Sequence, residues 1–99
     1  HPQGSDFLPI SHQMHYVYGL RSISFPDNTY IGETNDLKRR LRQHNNGEST
    51  HTARLGPWKI EFYLAFESRV QAKQFEAYLK SHSGKAFAHK RLWQPNSPA

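Results

Sequence analysis

Residues 15–34 read HYVYGLRSISFPDNTYIGET, a pattern that predicts two short β-strands joined by a turn. The segments 16–20 and 29–32 are both rich in residues that favour strands. Between them, Phe25-Pro26-Asp27-Asn28 is strong turn chemistry. We therefore predict an antiparallel hairpin, in which Gly32 marks a close approach of another backbone or of a ligand.

A first helix is predicted directly after this hairpin. Thr34 or Asn35 is the expected N-cap, and the helix runs to about Asn46 before Gly47 ends it. At helical spacing its apolar stripe contains Leu37, Leu41 and His44, with Arg40 at the edge of the stripe. The remaining basic residues, Lys38, Arg39 and Arg42, point away from it. A solvated helix face and contact with phosphate explain those three residues equally well.

The second half of the chain alternates loop, strand and helix signals. Residues 48–57 predict a loop with one helical turn, closed by Gly56-Pro57. From 58 to 66 large apolar residues occupy every even position, which predicts a strand with one buried face and one wet face.

A long helix is then expected over residues 69–82, capped by Ser68 and ended by Ser83-Gly84. Glu76 falls beside its apolar stripe of Ala72, Phe75 and Leu79, and an unpaired carboxylate is expensive there. A short final helix is expected to begin at Ala86 and to bury Phe87, Leu92 and Trp93.

The resulting order, β-β-α-(α)-β-α-α, predicts an α+β fold: a small sandwich with a three-stranded antiparallel sheet flanked by helices. We expect one domain over residues 14–93, because Met14 stands directly before the first strand. Residues 1–13 are interpreted as a disordered leader or an expression remnant, and residues 94–99 as a flexible tail.

The amino-acid composition limits the kinds of partner and site that are expected for this protein. The chain has 99 residues and a formal net charge of +5, so a polyanionic partner is expected. It has no Cys, which excludes disulfides and thiolate zinc sites and fits a reducing compartment. No apolar run approaches the roughly 18 residues that span a membrane. We expect no membrane partner and a cytoplasmic location, and the oligomeric state stays open.

Three groups of residues, taken together, resemble the GIY-YIG nuclease domain. They are Val17-Tyr18-Gly19, Tyr30-Ile31-Gly32, and the later set Arg40, His44 and Glu76. The resemblance covers about residues 15–93 and is strongest to small single-domain members of the URI-type, excision-nuclease-like kind. Here the first motif is VYG where the family has GIY, and His89 stands near the position where many members carry a catalytic Asn.

The resemblance implies a divalent-metal-dependent DNA endonuclease, with a non-catalytic nucleic-acid-binding module on the same fold as the alternative. The implied catalytic residues are Tyr18, Tyr30, Arg40, His44 and Glu76, and Glu76 is the implied ligand of one Mg²⁺ or Mn²⁺ ion. Phosphodiester hydrolysis needs a positioned water and a counter-charge on the phosphoryl oxygens. Arg40 suits the role of counter-charge, and Tyr30 is our first choice for the residue that orients or deprotonates the water. The division of roles among Tyr18, Tyr30 and His44 stays open.

The expected partner is single-stranded or structured DNA, and the sequence does not decide between these forms or between DNA and RNA. Strand contacts are expected in residues 45–57 and in the basic segment 80–91. Together with two residues of the first helix, the candidates for these contacts are Lys38, Arg42, His51, Arg54, Lys85, His89 and Lys90.

Structural explanations compete with several of these roles. The two tyrosines are also ordinary strand aromatics, and His44 on an apolar stripe is also typical of a hydrogen-bonded core histidine. Arg40 and Glu76 would be explained equally by a structural ion pair between helices. Glu33, directly after the second motif, is expected to face solvent rather than to assist the metal. The other histidines are interpreted as surface residues: His12, His15, His51, His82 and His89.

Overall fold

The computed structural model describes residues 13–95. Its elements follow in the order β1 (His15–Ser22), β2 (Thr29–Thr34), α1 (Leu37–Asn45), a 3₁₀ turn (Ala53–Leu55), β3 (Trp58–Phe66), α2 (Arg69–Lys80) and α3 (His82–Arg91). The strands form an antiparallel sheet in the order β2-β1-β3. The predicted α+β fold and its hairpin are confirmed. Within residues 13–95, no helix is long and apolar enough to cross a membrane.

The central strand β1 presents its side chains alternately to two helical layers. Tyr18 and Leu20 share one face, and they form a core cluster with Trp58 against which the α1 residues Leu37 and Leu41 pack. Val17 points to the opposite face and belongs to a second cluster with residues of α2 and α3, namely Ala72, Leu79 and Ala88. The sheet is therefore covered on both faces, with α1 on the Tyr18 face.

A β-bulge at Glu61 reverses the faces of β3. Gly19 pairs with Phe62 while the next residue, Leu20, pairs with Ile60, so Glu61 is the extra residue. Ile60 consequently packs with Leu20 on the Tyr18 face, whereas Phe62 packs with Val17 on the opposite face. The prediction that all even positions of this strand share one buried face is wrong, because an extra residue shifts the period of two by one.

The cap of α1 lies one residue later than predicted. Asp36, not Thr34 or Asn35, is the N-cap, and its side chain accepts a hydrogen bond of 3.1 Å from the Arg39 backbone N–H. The hydroxyl of Thr34 instead accepts from the backbone N–H of Asp36 at 3.1 Å, so it shapes the turn that leads into the helix. Gly47, with φ +76°, follows the C-cap Asn46, as predicted.

The last two helices are divided differently from the prediction. Helix α2 ends at Lys80, and Ser81 begins α3, where its side chain accepts from the backbone N–H of Gly84. Gly84 therefore lies inside α3, buried against the Tyr78 carbonyl, and does not end the preceding helix. Phe87 is 39% exposed, and the buried face of α3 is formed instead by Gly84 and Ala88, which are four residues apart. Leu92 and Trp93 do pack against the core.

A buried ion pair joins the bulge to the C-terminal segment. Arg21 Nε donates to Glu61 at 2.8 Å, and the Gln94 backbone N–H donates to the same carboxylate at 2.7 Å. Arg21 also donates to the Gln94 carbonyl at 3.2 Å and lies over the Trp93 ring, 5.3 Å from its centroid. Gln94, the first residue of the predicted tail, is thus anchored. The rest of the predicted leader and tail, residues 1–12 and 96–99, lies outside the described residues.

Candidate functional site

The phenol of Tyr18 lies at the centre of a hydrogen-bonded group between the sheet and α1. Tyr18 is 2% exposed, and its oxygen lies 2.8 Å from His44 Nε2 and 3.3 Å from Arg40 Nε. His44 and Arg40 are one helical turn apart on α1, so both reach the face of β1 that carries Tyr18. Burial raises the pKa of Tyr18 to about 12, even though Arg40 acts to lower it. Tyr18 is therefore a neutral phenol here.

His44 is almost completely enclosed. It is 1% exposed, and its second ring nitrogen, Nδ1, lies 2.7 Å from Thr52 Oγ1. Burial, with a smaller contribution from the positive charge of Arg40, lowers the pKa of His44 to about 4. The ring is thus neutral near pH 7 and has one N–H and one free lone pair to offer.

Tyr30 is the accessible member of the tyrosine pair. It is half-buried, and its ring centroid lies 6.4 Å from that of Tyr18 and 5.0 Å from that of His44. In the hairpin register Tyr18 is opposite Gly32. A Cβ at Gly32 would lie 2.6 Å from Tyr18 Cζ and would also collide with the phenol oxygen. The group that approaches Gly32 closely is therefore the Tyr18 side chain, which crosses β2 at this point, and not another backbone or a ligand as predicted.

Arg40 points into the site rather than to solvent, as its place on the helix predicts. Its Nη1 donates to Gln43 Oε1 at 2.9 Å, in addition to the Nε contact with Tyr18. Burial acts to lower the pKa of Arg40, but hydrogen bonds and charge from Tyr18 and Tyr30 outweigh it and raise that pKa. The guanidinium stays charged, and its five N–H groups exceed what these neighbours use.

Glu76 lies on α2, with only 14% of its side chain exposed. Its carboxylate pairs with Lys80 at 3.0 Å and with Lys73 at 3.6 Å, so the charge partners of Glu76 are lysines of its own helix. This arrangement does not support the alternative of an Arg40–Glu76 ion pair. The negative charge of Glu76 also contributes to the raised pKa of Tyr18, so its field reaches the hydrogen-bonded group.

The donor set around Glu76 fits a weakly ligated hard cation. Among residues 13–95 no group of three or more His, Cys, Asp or Glu side chains converges, which does not fit a structural zinc site. A single partly buried carboxylate fits Mg²⁺ or Mn²⁺, since Mg²⁺ commonly binds one or two carboxylates and keeps several waters. The two ammonium groups show that the position attracts positive charge.

Glu33 is buried, contrary to the expectation that it faces solvent. Its side chain is 7% exposed and lies 3.7 Å from Lys73 Nζ, 3.9 Å from Arg69 Nε and 3.8 Å from His15 Nδ1. The helix α2 covers this side of β2 and brings the basic residues with it. Lys73 thereby lies between the two carboxylates, within 3.6–3.7 Å of an oxygen of Glu76 and of Glu33.

His15 is mostly buried as well, so its interpretation as a surface residue is wrong. The side chain of His15 is 20% exposed, and its buried Nδ1 has no hydrogen-bond partner among residues 13–95. Of the other predicted surface histidines, His51, His82 and His89 are exposed, and His12 lies outside the described residues.

All the predicted strand contacts are exposed: Lys38, Arg42, His51, Arg54, Lys85, His89 and Lys90. Lys85 also lines a cleft of about 440 Å³ that lies between β2 and the last two helices. Tyr30, Lys80 and Trp93 also line this cleft. It therefore brings two lysines and an aromatic ring to the segment of β2 that contains Tyr30.

Sequence reasoning missed the side chains that hold the site residues in place. Lys73 and Lys80 stand three residues before and four residues after Glu76, a helical spacing that would have identified both. Gln43, three residues after Arg40 on α1, has the same kind of helical spacing, whereas Thr52 carried no comparable signal. Thr52 reaches His44 through a loop, and no spacing rule predicts that contact.

Comparison with known proteins gives a consistent set of relatives. The model of the GIY-YIG catalytic domain matches residues 14–91. Structure-specific endonuclease subunit SLX1 of Mycosarcoma maydis is 46% identical over 71 residues, which are 66% of this chain and 11% of that protein. SLX1 of Candida dubliniensis is also 46% identical over 71 residues, with 65% and 25% covered. The chain thus spans at most about a quarter of these SLX1 proteins.

Smaller relatives are matched over more of their length. A UPF0213 protein of Clostridium perfringens is 37% identical over 68 residues, which are 68% of this chain and 71% of that protein. The solution NMR structure of a UPF0213 protein from Bacillus halodurans matches with a TM-score of 0.47 and 30% identity, covering 78% of this chain and 83% of the other.

Proposed function

Since this chain belongs to the GIY-YIG catalytic domain family, we propose that it is an endonuclease that hydrolyses DNA phosphodiester bonds with one divalent cation. The observation that carries the proposal is the group formed by Tyr18, Tyr30, His44 and Arg40. In that group a charged guanidinium and two phenols lie together, within the field of a partly buried carboxylate on α2.

Arg40 provides the counter-charge for the phosphoryl group. It remains charged, because Tyr18 and Tyr30 raise its pKa against the effect of burial. Tyr18 and Gln43 hold the guanidinium at two points, so it does not have to reorganise when substrate arrives. Preorganised donors of this kind contribute most where charge develops in the transition state, on the non-bridging oxygens.

The two phenols have different tasks. Moving the Tyr18 proton to His44 is unfavourable, because burial raises the pKa of Tyr18 to about 12 and lowers that of His44 to about 4. Tyr18 therefore remains a neutral support for Arg40. Tyr30 is the more accessible phenol, so it orients the attacking water toward the phosphorus. This assignment of roles agrees with the sequence-based choice of Tyr30 as the residue that acts on the water.

Glu76 would hold the divalent cation, which supplies charge neutralisation at the phosphate when bound. Lys73 and Lys80 pair with Glu76, so these two ammonium groups would have to give up part of their contact with the carboxylate for Glu76 to hold a cation. Glu33 lies 3.7 Å from Lys73 and provides a second carboxylate for that ammonium once Glu76 is engaged.

The proposed substrate is single-stranded or structured DNA. The support for structured DNA is the name of the SLX1 relatives, structure-specific endonuclease subunits. The cleft beside Tyr30 supplies Lys85 and Lys80 for a sugar-phosphate backbone and the Trp93 ring as an apolar wall. A strand lying in this cleft would pass along β2, the strand that carries the proposed water-orienting tyrosine.

Cleavage assays test the proposal directly. The protein is incubated with single-stranded, duplex and branched DNA, with Mg²⁺, with Mn²⁺ or with a chelator. We expect metal-dependent cleavage of at least one form, and a loss of at least about 100-fold in Glu76→Ala. Glu48→Ala removes an exposed carboxylate from the loop after α1 and should keep the wild-type rate. Salt-sensitive DNA binding without cleavage of any form would favour the alternative, a non-catalytic binding module.

A further inference from the structure

A series of hydrogen-bonded side chains leads from Arg40 into the protein interior. Arg40 Nε lies 3.3 Å from the Tyr18 oxygen, which lies 2.8 Å from His44 Nε2. The other nitrogen of His44 lies 2.7 Å from Thr52 Oγ1, and that hydroxyl lies 3.5 Å from the Ser49 carbonyl. Thr52 is 0% exposed, so it cannot contact substrate.

Thr52 itself is held firmly by its backbone. Its N–H donates to the Ser49 carbonyl at 3.1 Å, and its carbonyl accepts from the Trp58 indole N–H at 2.8 Å. Trp58 is a core residue of β3 that is only 3% exposed. The backbone of Thr52 is thus fixed by Ser49 and Trp58, which places its fully buried side chain next to His44.

The donors and acceptors along this series of side chains determine in which direction each hydrogen bond points. Arg40 Nε has only a proton to give, so the Tyr18 oxygen accepts from it. If Tyr18 donates its own proton to His44 Nε2, then His44 Nδ1–H donates to Thr52 and the Thr52 hydroxyl donates to Ser49. Every donor then has an acceptor. In the opposite tautomer, His44 Nε2–H would donate to Tyr18, whose proton would have no acceptor among the described contacts of that residue.

We propose that Thr52 is a positioning residue that holds His44 in its Nδ1–H tautomer, and that this tautomer sets the Tyr18 phenol as the acceptor for Arg40. The lowered pKa of His44 supports this direction, since a neutral ring carries a single N–H. With the Tyr18 proton directed into the interior, a phenol lone pair faces the guanidinium. The guanidinium is then preoriented for the phosphoryl group before substrate binds.

The first arm of the test measures the tautomer and does not depend on cleavage. Long-range ¹H–¹⁵N correlation spectra at pH 7 report which ring nitrogen carries the proton, and His44→Phe identifies the His44 signals by their loss. We expect Nδ1–H in the wild type and in Thr52→Ser, which keeps the hydroxyl. We expect Nε2–H in Thr52→Val, which keeps the shape but removes the acceptor. An Nε2–H tautomer in the wild type would overturn the inference without the need for any variant, and so would an unchanged tautomer in Thr52→Val.

The second arm measures the reaction and rests on the proposed function. With a DNA substrate that the wild type cleaves, Thr52→Val should lose about 10–100-fold in kcat, the range typical of supporting residues. KM should stay within about twofold, and Thr52→Ser should retain the wild-type kcat. Wild-type kcat in Thr52→Val would overturn the positioning role. If the tautomer changes as expected but no DNA is cleaved even by the wild type, the proposed function fails while the assignment of Thr52 to His44 stands.

Discussion

Replacing Gly32 by Ala should disable the site while leaving the rest of the fold intact. A Cβ at this position would lie 2.6 Å from Tyr18 Cζ and would collide with the phenol oxygen. Tyr18 is 2% exposed and its oxygen contacts both His44 and Arg40. The ring cannot move away from the new methyl group without stretching or losing those contacts.

The magnitude follows from these two effects. Overpacking a tight site costs typically 1–3 kcal/mol, and one lost hydrogen bond adds about 1 kcal/mol. A net loss of about 3 kcal/mol lowers the Tm of a domain of this size by about 12–24 °C. Because Arg40 would lose its fixed contact with Tyr18, we also expect kcat to fall by about 100-fold, the effect of a 1 Å displacement in a reacting group.

Gly56→Ala is the matched control. A Cβ there meets its nearest atom, Trp58 Cδ1, at 3.7 Å, which is ordinary contact. Both variants are measured by thermal unfolding and by DNA cleavage, at a temperature where circular dichroism shows each to be folded. A Gly32→Ala protein that matches Gly56→Ala in both Tm and kcat would refute the placement of Tyr18 across β2.

Three further perturbations have definite expected outcomes. Tyr30→Phe should lower kcat by 10²-fold or more while DNA affinity, read by filter binding, stays within about twofold; an unchanged rate would show that Tyr30 does not handle the water. The pKa of His44 is lowered from 6.5 to about 4, so the unfolded chain binds the proton more readily between these values. Folding stability should therefore fall by up to about 3 kcal/mol as pH drops from 6.5 through 4. Urea unfolding should show this loss in the wild type and in His51→Ala but not in His44→Phe, and equal slopes in all three would contradict the assignment. Glu61→Gln leaves the guanidinium of Arg21 partly unpaired beside the bulge and should destabilise the fold by about 3 kcal/mol in denaturant titrations; a loss below about 1 kcal/mol would show that the pair is not required.

The parts of the fold that depend on near neighbours were predictable. The hairpin, the strand over 58–66 and the cap at Ser68 follow from turn residues, alternation and side-chain capping, all of which act within a few residues. The same holds for the inward position of Arg40, one turn before His44 on α1. The errors lie at the ends of helices and at one irregularity in a strand. The cap of α1 is Asp36 rather than Thr34 or Asn35, α3 begins at His82 rather than at Ala86, and Glu61 is an extra residue in β3.

The candidate site, like the fold, was predictable only in part. Its candidate residues were identified from a resemblance, and helical or strand periodicity assigned most of them to a face. Their partners were not identifiable, because a side chain finds its partner in three dimensions. Glu33 was expected to face solvent, but α2 lies over β2 and brings Lys73 and Arg69 to within 3.7–3.9 Å of its carboxylate.

Residues 15–34 illustrate what near neighbours settle and what packing adds. Alternation and turn chemistry are local properties, so the sequence specifies two strands, their antiparallel pairing and a common face for Tyr18 and Leu20. The protonation state of the Tyr18 phenol and the direction of its hydrogen bond depend on groups that the chain brings from residues 40, 44 and 52. Desolvation and hydrogen-bond direction exist only when those groups are packed together. For this reason the tertiary structure, and not the motif, determines which tyrosine is buried as a support and which remains open to water.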